Sequence, residues 1–186
     1  MVLADYEFMP LKEDTDIKPF DCGDNDLNGF LFDDAKEYLK DLFATTYLLV
    51  DSKNNRTVAY FSLLNDKIIL NPKEKNFWNR LNRNINNAKR RREYPAVKVG
   101  RLAVSKEYHG QGVGTYIIDF IKYAFTHGNR TGCRFITVDA YASAVGFYSS
   151  KECHFEFFTE QDAKEETRLM FLDLKPFKCS ENKNKL

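Results

Sequence analysis

The sequence predicts an α/β (α+β) fold, a mixed sheet flanked by helices. Three observations carry that prediction. Apolar runs rich in β-branched and aromatic residues recur at 45–51, 57–65, 96–104, 132–141 and 167–174. Stretches with apolar residues at helical spacing lie before and between them, after Asp24 and after Gly112. Of the 186 residues 43% are hydrophobic, with sixteen Phe, ten Tyr and one Trp, so the chain can bury a sizeable core. A chain this rich in apolar residues is not disordered. Five Pro and nine Gly exclude a collagenous or low-complexity protein.

The elements follow in order. Asp24 or Asn25 can cap a helix in which Leu27, Phe30, Leu31, Tyr38 and Leu39 recur at helical spacing; Gly29 weakens it slightly. TTYLLVD (45–51) and TVAYFSLLN (57–65) flank the polar turn SKNNR and read as a hairpin. Residues 71–95 are basic and Asn-rich, a short helix around Phe77, Trp78, Leu81 and Ile85 followed by a loop, and Pro95 stops any helix there. AVKVGRLAV (96–104) is a strand, and SKEYHGQG leads from it into a helix with Tyr116, Ile117, Phe120, Ile121, Ala124 and Phe125 on its apolar face. GCRFITVDAY (132–141) is a strand, a short helix lies near Ser143–Ser149, and FEFFT (155–159) and TRLMFLDL (167–174) close the sheet. The predicted order is β–α–β–β, an insert, then β–α–β–α–β–β. A single domain, 1–176, carries the basic insertion at about 71–95, and 177–186 is a loose tail.

Formal net charge is only +1, but the charge is unevenly placed. Residues 5–41 hold twelve acids against four lysines, a local net of −8. Residues 71–101 hold ten Lys/Arg against two Glu, a local net of +8. The basic stretch includes Arg80, Arg83 and Lys89-Arg90-Arg91-Arg92; it is either a solvated surface or a patch for a phosphate-rich substrate. No apolar run is long enough to span a membrane, and the acidic N-terminus has no apolar core of a signal peptide. Cys22, Cys133, Cys153 and Cys179 have no metal-ligand spacing, so they read as reduced thiols of a cytoplasmic protein that holds no metal.

Chemistry concentrates at RLAVSKEYHGQGVGTYIIDFIKYAF, residues 101–125. A strand ends, and His109-Gly110-Gln111-Gly112-Val113-Gly114 opens a helix. Alternating glycines let the backbone approach a ligand with its N–H groups turned inward. The helix N-terminus at the same place favours an anion. These features predict a phosphate or pyrophosphate cradle. It is not a Walker loop, because no Gly-Lys-Ser/Thr follows, and GxGxG is not the dinucleotide GxGxxG.

This segment resembles the acetyl-CoA loop of the GNAT superfamily of N-acetyltransferases, Arg/Gln-x-x-Gly-x-Gly/Ala after a strand often ending Leu-x-Val. Leu102-Ala103-Val104 matches the strand end, and 109–114 match the loop, with His109 where Arg or Gln is usual. VDAYASAVGFYSSKECHFEFF (138–158) is similar to the family segment that places a Phe-Tyr pair before a Gly-Phe turn. Tyr148 falls on the usual tyrosine, His154-Phe155 stands for the Gly-Phe two residues further along, and Asp139 stands where many relatives have Asn. Residues 20–51 look like the N-terminal region of the branch that includes aminoacyl-tRNA-acetylating toxins.

The resemblance implies a mostly antiparallel central sheet flanked by helices, and acetyl transfer from acetyl-CoA to a primary amine by direct attack in a ternary complex. Leu102, Ala103 and Val104 would hold the pantetheine arm, with a backbone N–H near Val104 polarising the carbonyl. His109, Gly110, Gln111, Gly112, Val113, Gly114 and Thr115 would hold the pyrophosphate. Tyr148 would be the general acid, protonated at neutral pH because a tyrosine titrates near 10; on the residues alone it reads rather as a core aromatic beside Phe147. For a general base Glu107, Asp139, His109 and a water chain all stay open. His127 and His154 read as structural or solvated, Cys133 as core, and Cys153 has no base beside it.

The acceptor is the α-amine of aminoacyl-tRNA, a protein amine or a small metabolite. A toxin-like role would carry an antitoxin partner, and the acidic 5–41 region could pair with the basic segment in a homodimer. Two other functions compete: a non-catalytic relative that binds RNA, protein or coenzyme, and a nucleotide-phosphate enzyme using the glycine loop differently.

Overall fold

In the computed structural model the described residues are 6–69, 71, 75–83, 85–86, 91–158 and 166–178. Among the described residues there are seven strands: β1 (Glu7–Pro10), β2 (Thr45–Asp51), β3 (Arg56–Ile69), β4 (Glu93–Val104), β5 (Phe135–Tyr141), β6 (Glu156–Phe157) and β7 (Thr167–Asp173). They form one sheet in the order β1-β2-β3-β4-β5-β7-β6. The pairs β1–β2, β2–β3, β5–β7 and β6–β7 are antiparallel. Helices α1 (Asn25–Gly29), α2 (Ala35–Lys40), α3 (Lys75–Asn82), α4 (Val113–Thr126) and α5 (Val145–Tyr148) complete the fold, so the mixed sheet with helices that the sequence predicts is what forms.

The chain divides into two compact units, Met1–Asn65 with Lys98–Ile118, and Asp66–Val97 with Asp119–Leu186. In the first, Leu11, Phe20, Phe30, Leu31, Ala35, Leu48, Tyr60 and Ala103 pack as one cluster. Tyr60 sits at its centre, stacked on Phe30 at 6.1 Å and edge-on to Phe20 at 5.5 Å. Its hydroxyl donates to the Leu27 carbonyl at 2.7 Å, which satisfies the one polar atom of a ring buried this deeply. The β2–β3 turn is closed by the Asp51 carboxylate, which accepts from the backbone N–H groups of Lys53 and Asn54.

Where one helix is expected from Asp24 onward, the structure has α1 and α2 joined by a π-helical turn, Phe30–Asp34. Asp24 caps α1 by accepting from the Leu27 N–H at 3.0 Å. Phe30, Leu31 and Ala35 are buried and Asp34 is exposed, and the wider turn bonds the Ala35 N–H to the Phe30 carbonyl.

In the second unit Ile68, Phe77, Trp78, Tyr94, Ala96, Phe135, Phe158 and Phe171 cluster. The short α3 docks by Phe77, 4.9 Å from Phe158, and by Trp78, stacked on Tyr94 at 5.1 Å. The basic insertion is therefore anchored by apolar residues, with Arg80 and Arg83 on its exposed side. Ile85 lies beyond the helix end and packs partly against the cluster.

Several boundaries differ from the sequence reading. β3 runs on to Ile69, and β4 starts at Glu93 and takes in Pro95, whose carbonyl accepts from the Arg134 N–H at 3.0 Å. β5 begins at Phe135, not at residue 132. Of 155–158 only Glu156–Phe157 is strand, and His154 at φ +65 makes a turn just before it. The opening strand, for which the sequence reading has no range, is β1. Thr159, Lys89, Arg90, Cys179 and the tail from 179 onward lie outside the described residues.

Candidate active site

In the first unit β4 ends at Leu102-Ala103-Val104, with Ala103 buried in the core cluster. The Ser105 N–H bonds the Val58 carbonyl at 2.8 Å, a 3-10 turn covers Lys106–Tyr108, and the chain then swings through 109–112 into α4. Gly110 and Gly112 take φ +72 and +80. A Cβ at either would meet nothing within 4 Å, so conformation rather than crowding calls for glycine, and the surface above the loop is open. The Gly112 carbonyl accepts the Tyr116 N–H at 3.0 Å, which makes Gly112 the cap of α4. The N–H groups of Val113, Gly114 and Thr115 then have no partner within the helix and carry its positive dipole end. Backbone donors and room above them fit a coenzyme pyrophosphate.

His109 holds this loop to the strand. Its Nε2 lies 2.7 Å from the Val104 carbonyl, and since a carbonyl only accepts, the hydrogen is on Nε2. Gln111 Nε2 donates to the Glu107 carbonyl at 2.8 Å. The Glu107 carboxylate pairs with Arg56. Lys106 Nζ pairs with Asp21 at 2.6 Å. Lys106, with Asn28 and the Gly23 N–H, lowers the Asp21 carboxyl to about 2. Pro19, Phe20, Asp21, Arg56, Ser105, Lys106 and Glu107 line a cleft of about 420 Å³. These pairs were not legible in the sequence, because nothing local joins Arg56 to Glu107 or Asp21 to Lys106.

In the second unit Tyr148 closes α5. It is 6% exposed, edge-on to Phe147 at 4.9 Å and to Phe155 at 5.2 Å. Burial raises its pKa far above the ordinary tyrosine value, so the phenol stays protonated. Its hydroxyl has no partner among the described residues, yet it is not among the polar atoms sealed from solvent without one. The ring is packed. The turn after it is held by the Phe155 N–H on the Tyr148 carbonyl at 3.0 Å and by Lys122 Nζ on the Glu152 carbonyl at 2.7 Å. His154 adopts the left-handed conformation and Phe155 is buried behind it, the geometry of a Gly-Phe turn.

Of the candidate bases, Glu107 is engaged by Arg56 and the Nε2 of His109 by Val104. Burial pushes the Cys133 thiol up to about 11 and raises Cys153 too, so both stay thiols at neutral pH. His127 stacks on Tyr123 at 4.4 Å. Among the described residues no group of His, Cys, Asp and Glu has the arrangement of a metal site, and no helix is long and apolar enough to cross a membrane. Of the basic segment, Arg83, Arg91 and Arg92 are exposed, and Arg80 donates to the Phe157 carbonyl at 3.1 Å.

Residues 76–152 match the family model of the acetyltransferase (GNAT) domain. Solved structures share the fold over most of their length. A bacterial toxin superposes with a TM-score of 0.73 at 16% identity, covering 92% of each chain. The toxin AtaT complexed with acetyl-methionyl-tRNAfMet gives 0.71 at 22%, covering 93% of this chain and 97% of that one. A mutant of AtaT bound to acetyl-CoA and to the C-terminus of the antitoxin AtaR gives 0.66 at 20%, covering 92% and 95%. The chain has the GNAT fold, a mixed, mostly antiparallel sheet flanked by helices.

Proposed function

We propose acetyl-CoA-dependent N-acetylation of a primary amine, the α-amine of aminoacyl-tRNA, for this chain, whose residues 76–152 match the GNAT acetyltransferase family model. The observation that carries the reading is the left-handed turn at Gly110 and Gly112 opening onto the bare N-terminus of α4. Acetyl-CoA, when bound, supplies the acetyl group as an activated thioester. Leu102, Ala103 and Val104 lend a strand edge to the pantetheine arm, and the backbone from His109 through Thr115 holds the pyrophosphate. A Val104 N–H polarises the thioester carbonyl, and the buried Tyr148 phenol keeps its proton until the departing sulfur takes it.

The acceptor follows from two supports. A relative of the same fold is complexed with acetyl-methionyl-tRNAfMet, and Arg83, Arg91 and Arg92 offer exposed cations to an RNA backbone. In this reading 1–176 work as one acetyltransferase domain in the cytoplasm, a homodimer and an antitoxin are the protein partners, and no metal takes part.

The test is twofold. Acetyl-CoA should raise the melting temperature, whereas ATP–Mg should not. Incubated with acetyl-CoA and charged tRNA, the protein should yield N-acetyl-aminoacyl-tRNA. Acetylation of proteins or small amines with none on charged tRNA would replace the acceptor, and no response to acetyl-CoA would remove the donor.

A further inference from the structure

Lys122 is a buried cation to which the acetyl-transfer reading gives no part. A lysine on a helix ordinarily runs its ammonium out to water. The Lys122 side chain on α4 is instead only 6% exposed. An ammonium has three N–H donors, and three partners surround this one. Nζ donates to the Glu152 carbonyl at 2.7 Å and to the Asp119 carboxylate at 3.0 Å. It also lies over the Phe177 ring, 4.7 Å from the ring centre. Asp119 is one turn away on α4, whereas Glu152 belongs to the turn after Tyr148 and Phe177 to the segment after β7. All of these residues lie in the second unit.

The turn that Lys122 grips is bonded at several points. The Phe155 N–H donates to the Tyr148 carbonyl at 3.0 Å and the His154 N–H to the Ser150 carbonyl at 2.9 Å. The Cys153 N–H reaches the Ser150 hydroxyl at 3.2 Å. Within the turn His154 takes φ +65, a conformation that a residue with a side chain keeps only when its surroundings impose it. Its ring lies 5.6 Å from Phe177, the same ring that the Lys122 ammonium covers. Phe155, next in the chain, stands edge-on to the Tyr148 ring at 5.2 Å. A shift of the turn therefore reaches the phenol.

Resting on the reading of Tyr148 as general acid, we propose that Lys122 is a positioning residue for that phenol. By holding the Glu152 carbonyl and the Phe177 ring it fixes the 149–155 turn, and through Phe155 it fixes the Tyr148 ring. In this role it meets neither acetyl-CoA nor the amine, so its loss acts on proton transfer to the departing sulfur and not on binding.

Thiol release from acetyl-CoA with charged tRNA gives kcat and both KM values for wild type, Lys122→Met, Tyr148→Phe and the double variant. Methionine keeps an unbranched apolar chain and removes the donors and the charge. Lys122→Met should lower kcat by about tenfold and leave both KM values within about twofold. In the Tyr148→Phe background the same substitution should change kcat by less than about twofold, because the group it positions is gone. An equal loss in both backgrounds means a general structural role and overturns the proposal, as does an undiminished kcat in the single variant. If Lys122→Met does not fold, Phe177→Leu takes its place in the cycle, with a loss of about threefold confined to the Tyr148 background and the same overturning results. A fall of under about threefold in Tyr148→Phe alone removes the general acid, and this proposal with it. Wild type that releases no thiol fails the acetyl-transfer reading itself, and both fall.

Discussion

His109 Nε2 donates to the Val104 carbonyl at 2.7 Å, closing the turn between the end of β4 and the start of α4. The residue that replaces the usual Arg or Gln of the loop pattern thus acts on the loop's own backbone. His109→Ala should keep the fold and weaken acetyl-CoA binding by about threefold to tenfold, up to about 1.4 kcal/mol. Titration calorimetry checks it. An unaltered dissociation constant would mean that the loop holds its shape without the histidine.

Gly112 tests the loop conformation. Its φ of +80 strains any L-residue by about 1–2 kcal/mol, although the space beside it is open. Gly112→Val should therefore raise the acetyl-CoA dissociation constant by about tenfold or more while the protein stays folded. Full affinity in a folded Gly112→Val protein would show that the coenzyme binds elsewhere.

Tyr148→Phe removes only an oxygen from a packed ring. Coenzyme binding should persist, and turnover should fall by about 10²-fold. Burial raises the folded-state pKa of Tyr148 and of Tyr60, so their contribution to stability is complete below the unfolded value near 10 and declines as pH rises above it. Alkaline melts of wild type and Tyr148→Phe should diverge above about pH 10, the variant losing less. A fall in turnover of under about threefold, with chemistry limiting, would leave Tyr148 a packing residue.

Asp21 supplies the acid-side counterpart. Its folded carboxyl is lowered from 3.8 to about 2, first by Lys106, then by Asn28 and the Gly23 N–H. The group therefore favours folding above pH 3.8 and loses that effect as pH falls toward 2. In Lys106→Ala the Asp21 carboxyl should titrate closer to 3.8, read by NMR. A titration unmoved by that change would assign the effect to Asn28 and Gly23.

Neutralising Arg90, Arg91 and Arg92 together should reduce acetylation of charged tRNA and spare acetylation of a small amine, and it should flatten the salt dependence. Equal activity on tRNA with and without these cations would remove the patch from RNA binding.

By itself the sequence determined the fold class, most of the strands and the glycine loop between β4 and α4. Those signals are local: β-forming runs between polar turns, and glycines spaced where a strand meets a helix, each readable from neighbours along the chain. The break in the first helix was not legible: Leu27, Phe30, Leu31, Tyr38 and Leu39 fit one helical spacing, and the π-helical turn at Phe30–Asp34 is seen only in the folded structure, where Phe30, Leu31 and Ala35 join the cluster of Tyr60 and Leu48. Tertiary structure alone decided the pairing of Lys106 with Asp21 and of Arg56 with Glu107, and the seating of Arg101 over Phe30. Charges and rings far apart in the chain meet only after the strands have registered. Their partners are fixed by which atoms are left near one another once the apolar core is buried, and no local spacing encodes that.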